Sequence, residues 1–261
     1  MPSPPLDTAL IVRETFVARV EHHAALGSTN DRAKQCAAEG AAALPLLIVA
    51  DEQTSGRGRG TNRWWTGKGS LAMSLLMDLD EPAAWRPRCS ALAALAAAVA
   101  VTETVAPLAP SETVGLNWPN DVFVNGRKLA GILVEVLRDR RLVVGIGLNA
   151  NNSIREAPPP LQKTATSLVD LTGTRHNRTR ILLALLEHLA AAFRQLTARP
   201  EQIAATANAL CLQHGQTLTL ELGQRRIRGR CRGIATDGAL LLDTPEGLDK
   251  FYSGVLVPQD F

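Results

Sequence analysis

The segment most suggestive of chemistry is a loop in which glycine and arginine alternate, Gly56-Arg57-Gly58-Arg59-Gly60, followed closely by Trp64 and Trp65. Glycines allow backbone N–H groups to close around an anion, and guanidinium groups bind phosphate through paired hydrogen bonds. An aromatic ring beside such a site can stack on a purine. The spacing matches neither a Walker A loop nor a Rossmann dinucleotide motif. The loop therefore predicts a phosphate or nucleotide site of another kind, with an ordinary glycine–arginine loop or a weak RNA-binding segment as an equal alternative.

A second group of polar residues surrounds a predicted β-hairpin. Asn120 and Asp121 follow Pro119 in a turn, and Lys128 comes just after the Asn125-Gly126 turn. An amide, a carboxylate and an ammonium group can converge on one spot of a sheet in this arrangement. Taken alone, however, Asp121 is more typical of a turn and Lys128 of a solvated strand surface.

A third polar segment begins at Asn149, directly after the run Gly145-Ile146-Gly147-Leu148. By itself it is typical of a strand that ends in an asparagine-rich turn. The five histidines lie near no serine or cysteine nucleophile motif. The groups available for chemistry are therefore mainly cationic, which suits the stabilisation of phosphate charge in a displacement better than covalent catalysis by a protein nucleophile.

The elements that must position these residues follow from local sequence patterns. Residues 28–31 supply N-cap side chains for a helix, Pro119 ends a strand, and Asn125-Gly126 predicts a type I′ hairpin turn. Helices are predicted over 32–43, 88–106 and 177–198, and strands over 46–50, 70–77, 114–118, 122–124, 127–137 and 142–148. Strands joined by tight turns, with helices between groups of them, indicate an α+β fold with a largely antiparallel or mixed sheet.

The pattern changes beyond Gly215. Residues 217–222 alternate between apolar and polar types, and turn signals at Gly223, Asp237-Gly238 and Pro245-Glu246-Gly247 separate further short strands. This part of the chain is predicted to form a small all-β terminal domain.

Composition limits the classes of protein that remain. The chain has 261 residues, of which 46% are hydrophobic and 20% charged, so it can bury a sizeable core. A net charge of +3 neither requires nor excludes nucleic-acid binding. The four cysteines form no CxxC pair, which argues against a zinc knuckle or a disulfide framework and favours a reducing compartment. The N-terminus does not resemble a signal peptide, and the apolar run 91–101 is too short to cross a bilayer, so a soluble cytoplasmic protein is expected.

Five segments, in the same order along the chain, resemble the biotin protein ligases, which adenylate biotin and attach it to a lysine of a carboxylase. They are Gly27-Ser28-Thr29-Asn30, Ala50-Asp51-Glu52-Gln53-Thr54-Ser55-Gly56-Arg57-Gly58-Arg59-Gly60, Trp118-Pro119-Asn120-Asp121, Arg127-Lys128-Leu129-Ala130-Gly131-Ile132-Leu133-Val134-Glu135 and Gly145-Ile146-Gly147-Leu148-Asn149. One such segment is suggestive, whereas five collinear segments are a specific match.

The resemblance implies an α+β catalytic domain related to class II aminoacyl-tRNA synthetases, followed by a small SH3-like β-barrel. Residues 1–8 are then expected to be a loose tail, 9–212 the biotin- and ATP-binding domain, and 213–261 the SH3-like domain. Some members of the family carry an N-terminal DNA-binding domain. Because fewer than about 30 residues precede the first motif, a monofunctional ligase without DNA binding is expected, as a monomer or homodimer.

The resemblance also implies roles for individual residues. The residues expected to bind biotin are Ser28, Thr29, Asn30, Gln53, Gly56, Arg57, Gly58, Arg59 and Lys128. Those expected to bind ATP or the adenylate are Arg57, Arg59, Trp64, Asn120, Asp121, Lys128 and Asn149. Arg59 and Lys128 are the expected catalytic residues, Mg²⁺ is expected to be held mainly by the phosphates of ATP, and the acceptor is expected to be a biotin carboxyl carrier domain.

Two positions depart from the family pattern. Asn62 stands where many bacterial members have an arginine, and Asn117 stands where a lysine usually precedes Trp118-Pro119-Asn120-Asp121. Each change removes a positive charge near the expected site.

Two rival functions are kept beside this one. A lipoate ligase would also adenylate an acid, although the Ser-Thr-Asn and Gly-Arg-Gly-Arg-Gly segments fit biotin better. An RNA-binding protein would use the arginines of the loop and of a terminal cluster, Arg225, Arg226, Arg228, Arg230 and Arg232. Exposed arginines on a small barrel are, however, usually a solvated surface.

Overall fold

The computed structural model describes residues 5–40, 43–78 and 89–257, with the side chain of Cys89 excepted. The helices are α1 (Thr8–Glu14), α2 (Thr29–Ala38), α3 (Cys89–Val105), α4 (Pro159–Thr164), α5 (Leu168–Thr172), α6 (Arg178–Ala198) and α7 (Pro200–Ala209). The strands are β1 (Arg19–Leu26), β2 (Leu46–Gln53), β3 (Leu71–Met77), β4 (Val114–Asn117), β5 (Asp121–Val124), β6 (Arg127–Val136), β7 (Leu142–Leu148), β8 (Thr217–Leu222), β9 (Arg225–Ile234), β10 (Leu240–Thr244), β11 (Gly247–Phe251) and β12 (Val255–Val257).

A seven-stranded sheet carries the larger part of the fold, with strand order β1-β2-β3-β7-β6-β5-β4. Strands β1 and β2 pair in parallel because α2 forms the crossover between them, and the other neighbouring pairs are antiparallel. The predicted mixed sheet in an α+β fold is therefore confirmed.

Helices cover both faces of this sheet. On one face, Leu47 and Val49 of β2 belong to the large core that also contains the apolar residues of α3 and α6. On the other face, Leu46 and Ile48 belong to a smaller cluster with Ala33 and other residues of α2. Successive side chains of a strand point to opposite faces, so an unbroken apolar run such as that in β2 is what a strand covered on both faces requires.

The hairpin turn has the predicted backbone conformation. Asn125 and Gly126 both have positive φ, of 49° and 75°, as the type I′ turn between β5 and β6 demands. At the start of α6, Asn177 accepts a hydrogen bond from the backbone N–H of Arg180, so the predicted N-cap is also present.

The N-terminal region contains structure inside the segment expected to be a loose tail. Residues 1–4 lie outside the described residues, but Leu6 is buried and Asp7 caps α1 through a 2.9 Å hydrogen bond from Leu10 N–H. The Asp7 N–H in turn donates to the hydroxyl of Thr179 on α6. Contacts with a distant helix, which no local pattern reveals, order this end of the chain.

The terminal domain is a five-stranded antiparallel sheet of order β11-β10-β9-β8-β12. Its strands match the predicted alternating segment and turns. Helix α7 precedes it and was not predicted. It begins at Pro200, directly after α6, and a proline in the interior of a helix would end that helix. Proline is equally suited to the first position of a new helix, where it stands here.

Two helical stretches, Ser90–Leu108 and Arg178–Ala198, are long and apolar enough to cross a membrane by length and composition. The first exceeds the apolar run noted in the sequence. Both contribute residues to the large core, and α3 packs against α6.

Candidate active site

A cavity of about 380 Å³ opens on the face of the large sheet that α2 partly covers. Residues from α2, the glycine–arginine loop, β5, β6, β7 and the terminal domain line it. Of the predicted site residues, those that line it are Ser28, Thr29, Asn30, Gln53, Arg57, Gly58, Arg59, Trp64, Asn120, Asp121 and Lys128. Residues of four separate matched segments are therefore brought together at one cavity.

One end of the cavity is uncharged. Helix α2 begins here, so its first N–H groups need acceptors from outside the helix. Both the N–H and the hydroxyl of Thr29 lie within hydrogen-bond distance of Gln53 Oε1, at 2.7 and 3.1 Å. The hydroxyl of Ser74 in β3 contacts the Thr29 hydroxyl at 2.8 Å. These bonds fix the Gln53 amide and leave its Nε2 without a hydrogen bond among the described residues, available to a ligand.

Asn30 is fully engaged by the protein. Its Oδ1 lies 2.6 Å from the Ser74 hydroxyl, and its Nδ2 donates to Leu133 O and to Glu135 Oε2 at 3.3 and 2.9 Å. The residue is 4% exposed. The geometry is thus that of a residue that positions the cavity wall. Neither Ser74 nor Glu135 was predicted as a site residue. Ser74 lies within an apolar strand, and Glu135 is the last residue of the matched segment 127–135, where nothing in the sequence marks it as part of a site.

Closely paired glycines make the cavity floor flat. Gly131 of β6 lies opposite Gly147 of β7. A Cβ atom added at Gly147 would lie 2.2 Å from the Trp64 ring, and one added at Gly145 would lie 1.9 Å from Asn30 Oδ1. Glycine at these two positions is what allows the indole and the amide to rest directly on the strand backbones. The indole Nε1 of Trp64 is buried and has no hydrogen-bond partner among the described residues.

The other end of the cavity carries charge. Lys128 Nζ lies 2.7 Å from Asp121 Oδ2 and 5.7 Å from the centroid of the Trp64 ring. Burial raises the pKa of Asp121, although the nearby Lys128 and Arg59 cations act in the opposite direction. Oδ1 of Asp121 is buried without a hydrogen-bond partner among the described residues. The charged end therefore holds a carboxylate with one free acceptor oxygen beside a cation.

Arg59 reaches across the cavity mouth. It donates to Asn120 Oδ1 at 3.2 Å and to the carbonyl of Gly254 in the terminal domain at 3.4 Å. Burial lowers the pKa of its guanidinium group. Through Arg59 the loop contacts the residue before β5 and the residue before β12. Gly254, Val255 and Leu256 also line the cavity and were missed by sequence reasoning, because small apolar residues carry no chemical signal.

Arg57 points to carboxylates on neighbouring elements. Its NH1 lies 2.8 Å from Asp31 of α2 and 3.2 Å from Glu135 of β6, and Lys34 joins the same two carboxylates. Desolvation opposes ionisation of Arg57, but these acidic partners outweigh it and raise its pKa. The network ties the glycine–arginine loop to α2 and β6.

Gly56 and Asn149 were predicted to contact ligands and are not among the lining residues. The carbonyl of Gly56 accepts from Trp64 N–H, and a Cβ here would lie 2.4 Å from Trp64 O, so glycine permits a close approach inside the loop. Asn149 is 3% exposed, donates to Thr166 O at 3.0 Å and accepts from Asn152 Nδ2 at 2.9 Å. Both residues shape segments behind the cavity wall.

The two departures from the family pattern have local roles. Oδ1 of Asn117 accepts a hydrogen bond from Gln213, whose own Oε1 accepts from the N–H of Trp118 at 3.1 Å. Asn62 closes the loop, because its carbonyl accepts from Gly58 N–H at 2.8 Å. Asn117 thus joins β4 to the segment that leads into the terminal domain.

Within the described residues, no group of three or more histidine, cysteine, aspartate or glutamate side chains could hold a metal ion. Cys36, Cys211 and Cys231 are free and buried.

Comparisons with known proteins fit this geometry. Residues 24–151 match the biotin/lipoate A/B protein ligase family, and residues 214–255 match the biotin protein ligase C-terminal domain. The chain is 39% identical over 224 residues to a biotin–[acetyl-CoA-carboxylase] ligase of Mycobacterium tuberculosis, covering 83% of this chain and 80% of that protein. It is 33% identical over 238 residues to the bifunctional ligase/repressor BirA of Bacillus subtilis, covering 89% of this chain and 71% of that protein.

A solved structure is also similar over most of its length. The biotin protein ligase of Aquifex aeolicus in complex with biotin and ATP superposes with a TM-score of 0.78 at 28% identity, covering 92% of this chain and 97% of the other.

Proposed function

The chain belongs to the biotin protein ligase family, and from this we propose that it forms biotinyl-5′-AMP from biotin and ATP and then transfers biotin to a lysine of a biotin carboxyl carrier domain. The observation that carries the proposal is a cavity in which an uncharged amide end meets a cationic end. That division matches a substrate with a neutral ureido ring at one end and a reacting carboxylate at the other.

The uncharged end is proposed to bind the ureido ring. Ser28, Thr29 and Gln53 line it, and Thr29 holds the Gln53 amide through Oε1, which leaves the Nε2 group available as a donor. A neutral ring that both donates and accepts hydrogen bonds requires uncharged partners of this kind. Asn30 and Glu135 are proposed to hold this wall in place.

The cationic end is proposed to support adenylation. The biotin carboxylate attacks the α-phosphorus of ATP, a new carboxylate–phosphorus bond forms, and the bond to pyrophosphate breaks. The two reactants are both anions, so positive charge must offset their repulsion and hold them in line. Lys128 and Arg59 both line the cavity and supply it. Trp64 provides the aromatic face beside Lys128 for the adenine side of the nucleotide.

A magnesium ion is proposed to arrive with ATP and to offset the charge of its phosphates. The cavity suits an ion held mainly by substrate, because Asp121 is the carboxylate that lines it and its Oδ1 has no protein partner among the described residues. Asp121 and Asn120 would supply the protein oxygens.

The second step is proposed to occur at the same cavity. An acceptor lysine attacks the carbonyl of the mixed anhydride, an amide forms, and AMP leaves. Water would destroy the anhydride, and the glycine–arginine loop, held by Arg57 and Arg59 to the surrounding elements, limits its access. The proposed division of the chain is a catalytic part over 9–212 and a terminal part over 213–261, and the reaction is proposed to take place in the cytoplasm.

The test is ATP–pyrophosphate exchange with Mg²⁺, performed with biotin, with lipoate and without an acid. Exchange that depends on biotin supports the proposal. Exchange with lipoate alone would identify lipoate as the substrate and would leave the proposed adenylation mechanism in place. If the folded protein gives no exchange with either acid, the proposed reaction is wrong, and salt-sensitive RNA retention becomes the property to measure.

A further inference from the structure

The proposed reaction leaves the arginines of the terminal domain without a role. Strand β9 carries Arg226, Arg228, Arg230 and Arg232 at every second position, and all four are exposed. Residues at every second position of a strand share one face and lie about 7 Å apart. We call these four residues the β9 arginine row.

Two neighbouring strands identify the face. Arg226 lies directly opposite Glu221 of β8 and forms an ion pair with it. Arg230 lies opposite Asp243 of β10, whose carboxylate pairs with Arg232. The row therefore lies on the outer face of the sheet, with its end residues paired to carboxylates.

The middle of the row retains its positive charge. Arg228 lies opposite Thr219 of β8, and Arg230 donates to the carbonyl of Gly215. Among the described residues, neither forms an ion pair with a carboxylate. Four arginines against two carboxylates leave a net positive strip along the central strand of this sheet.

The strip lies beside the active-site cavity. Val255 of β12 lies opposite Glu221, which lies opposite Arg226, so these three residues form one cross-strand row. Val255 is 56% exposed and lines the cavity. Because neighbouring strands are about 4.8 Å apart, β9 lies about 10 Å from the cavity wall across this face. A macromolecule seated on the strip would reach the cavity mouth.

We propose that the β9 arginine row docks the acceptor protein of the second half-reaction through acidic residues near the lysine to be modified. The inference rests on the proposed function, which requires a protein lysine to enter this cavity after the adenylate has formed. Like other charges at an interface rim, the arginines would mainly govern encounter and orientation.

The residue types on this face favour a protein as the binding partner over RNA. Single-stranded nucleic acid is usually held by aromatic rings on which bases stack, in addition to cations. The described outer-face neighbours of the row on β8, β10 and β12 are Thr217, Thr219, Glu221, Leu241, Asp243, Val255 and Val257, none of which is aromatic.

The test compares Arg228→Glu with Arg225→Glu. Arg225 is an exposed arginine of the same strand, but it does not fall on the alternate positions that form the row. The control therefore makes the same charge change outside the row. Three rates are measured for each protein: biotin-dependent pyrophosphate exchange, transfer to a small amine such as Nα-acetyl-lysine, and transfer to a purified biotin carboxyl carrier domain.

For Arg228→Glu we expect the KM for the carrier domain to rise by about tenfold or more, with kcat, exchange and transfer to the small amine unchanged. Arg225→Glu should match the wild type in all three rates. Raising the ionic strength from about 0.05 to 0.3 M should raise the wild-type KM and reduce the difference between the two variants. The double variant Arg228→Ala/Arg230→Ala should behave like Arg228→Glu, and normal exchange reports that each variant is folded.

Equal KM values for Arg228→Glu and Arg225→Glu would overturn the docking proposal. So would a loss of RNA binding in Arg228→Glu without a change in the carrier KM. In either case biotin-dependent exchange by the wild type would still support the ligase function, whereas its absence would overturn that function itself.

Discussion

The ammonium group of Lys128 lies 2.7 Å from Oδ2 of Asp121, so the cation and the carboxylate of the cavity form an ion pair. Both side chains are partly buried, with 33% and 19% of their surface exposed. A lysine held in this way is positioned at low entropic cost, and an entering carboxylate or phosphate would share it with Asp121. The pair thereby sets the location of positive charge at the reacting end of the cavity.

Removal of the Lys128 ammonium is expected to impair adenylation without unfolding the protein. We predict that Lys128→Ala and Arg59→Ala each lower the rate of biotin-dependent pyrophosphate exchange by at least about tenfold, or about 1.4 kcal/mol of barrier. Lys163→Ala, at an exposed lysine of α4, serves as the control. Circular dichroism checks the fold, and wild-type exchange in a folded Lys128→Ala protein would contradict the catalytic role.

The ion pairs of Arg57 predict that Glu135 restrains the glycine–arginine loop. Glu135→Gln retains an oxygen for the Asn30 amide but removes the charge that faces Arg57 and Lys34. Partly exposed ion pairs typically contribute roughly 1 kcal/mol. If the closed loop loses that much stability relative to an open loop, the population of the open loop increases about fivefold. Tryptic cleavage after Arg59 and Arg63, followed by mass spectrometry, should accelerate to that extent.

The matched control for this change is Glu187→Gln, which removes an exposed carboxylate on α6. Cleavage at the loop should keep its wild-type rate in this variant. If Glu135→Gln also cleaves at the wild-type rate, the Arg57 network does not hold the loop closed.

The contact between Gly147 and Trp64 predicts a non-additive pair of substitutions. In Gly147→Ala the new methyl group would lie 2.2 Å from the indole, so the ring must move, at a cost of about 1–3 kcal/mol. Pyrophosphate exchange should fall by about tenfold. In a Trp64→Leu background the same glycine change should have a much smaller additional effect, because the clashing ring is gone. Equal effects in both backgrounds would mean that Gly147 acts through something other than Trp64.

Much of this site could be predicted because its chemistry is concentrated in short motifs. Gln53 and Arg59 lie in one matched segment and Lys128 lies in another, and all three residues line the cavity. The hairpin that presents Lys128 was fixed by the Asn-Gly turn, since few other dipeptides adopt positive φ at both positions.

What the sequence did not reveal depends on tertiary contacts. Ser74 is hidden within an apolar strand, and its role follows only from the approach of Thr29 and Asn30. Strand β1 was not predicted, because its residues, Arg19–Leu26, show no clear alternation of apolar and polar types. Val255 reaches the cavity through the arrangement of two sheets, which no local pattern encodes.

Asp170 predicts how stability changes in acid. Burial acts to raise its pKa, but hydrogen bonds from Ile154 N–H and from the Ser167 and Ser153 hydroxyls, at 2.7, 2.8 and 2.8 Å, outweigh burial and lower it. A carboxyl whose pKa is lowered by folding stabilises the protein above its ordinary pKa, 3.8, and loses that contribution as pH falls through the lower folded value.

We therefore predict that Asp170→Asn is less stable than the wild type by about 1 kcal/mol at neutral pH, a modest value because solvent screens this exposed site. The difference should shrink below about pH 4, where the wild-type carboxylate also becomes protonated. Urea unfolding at neutral and acidic pH measures both values, with Glu187→Gln as the reference for loss of one exposed carboxylate. A difference that stays constant down to about pH 3 would show that the Asp170 charge does not stabilise the segment after β7.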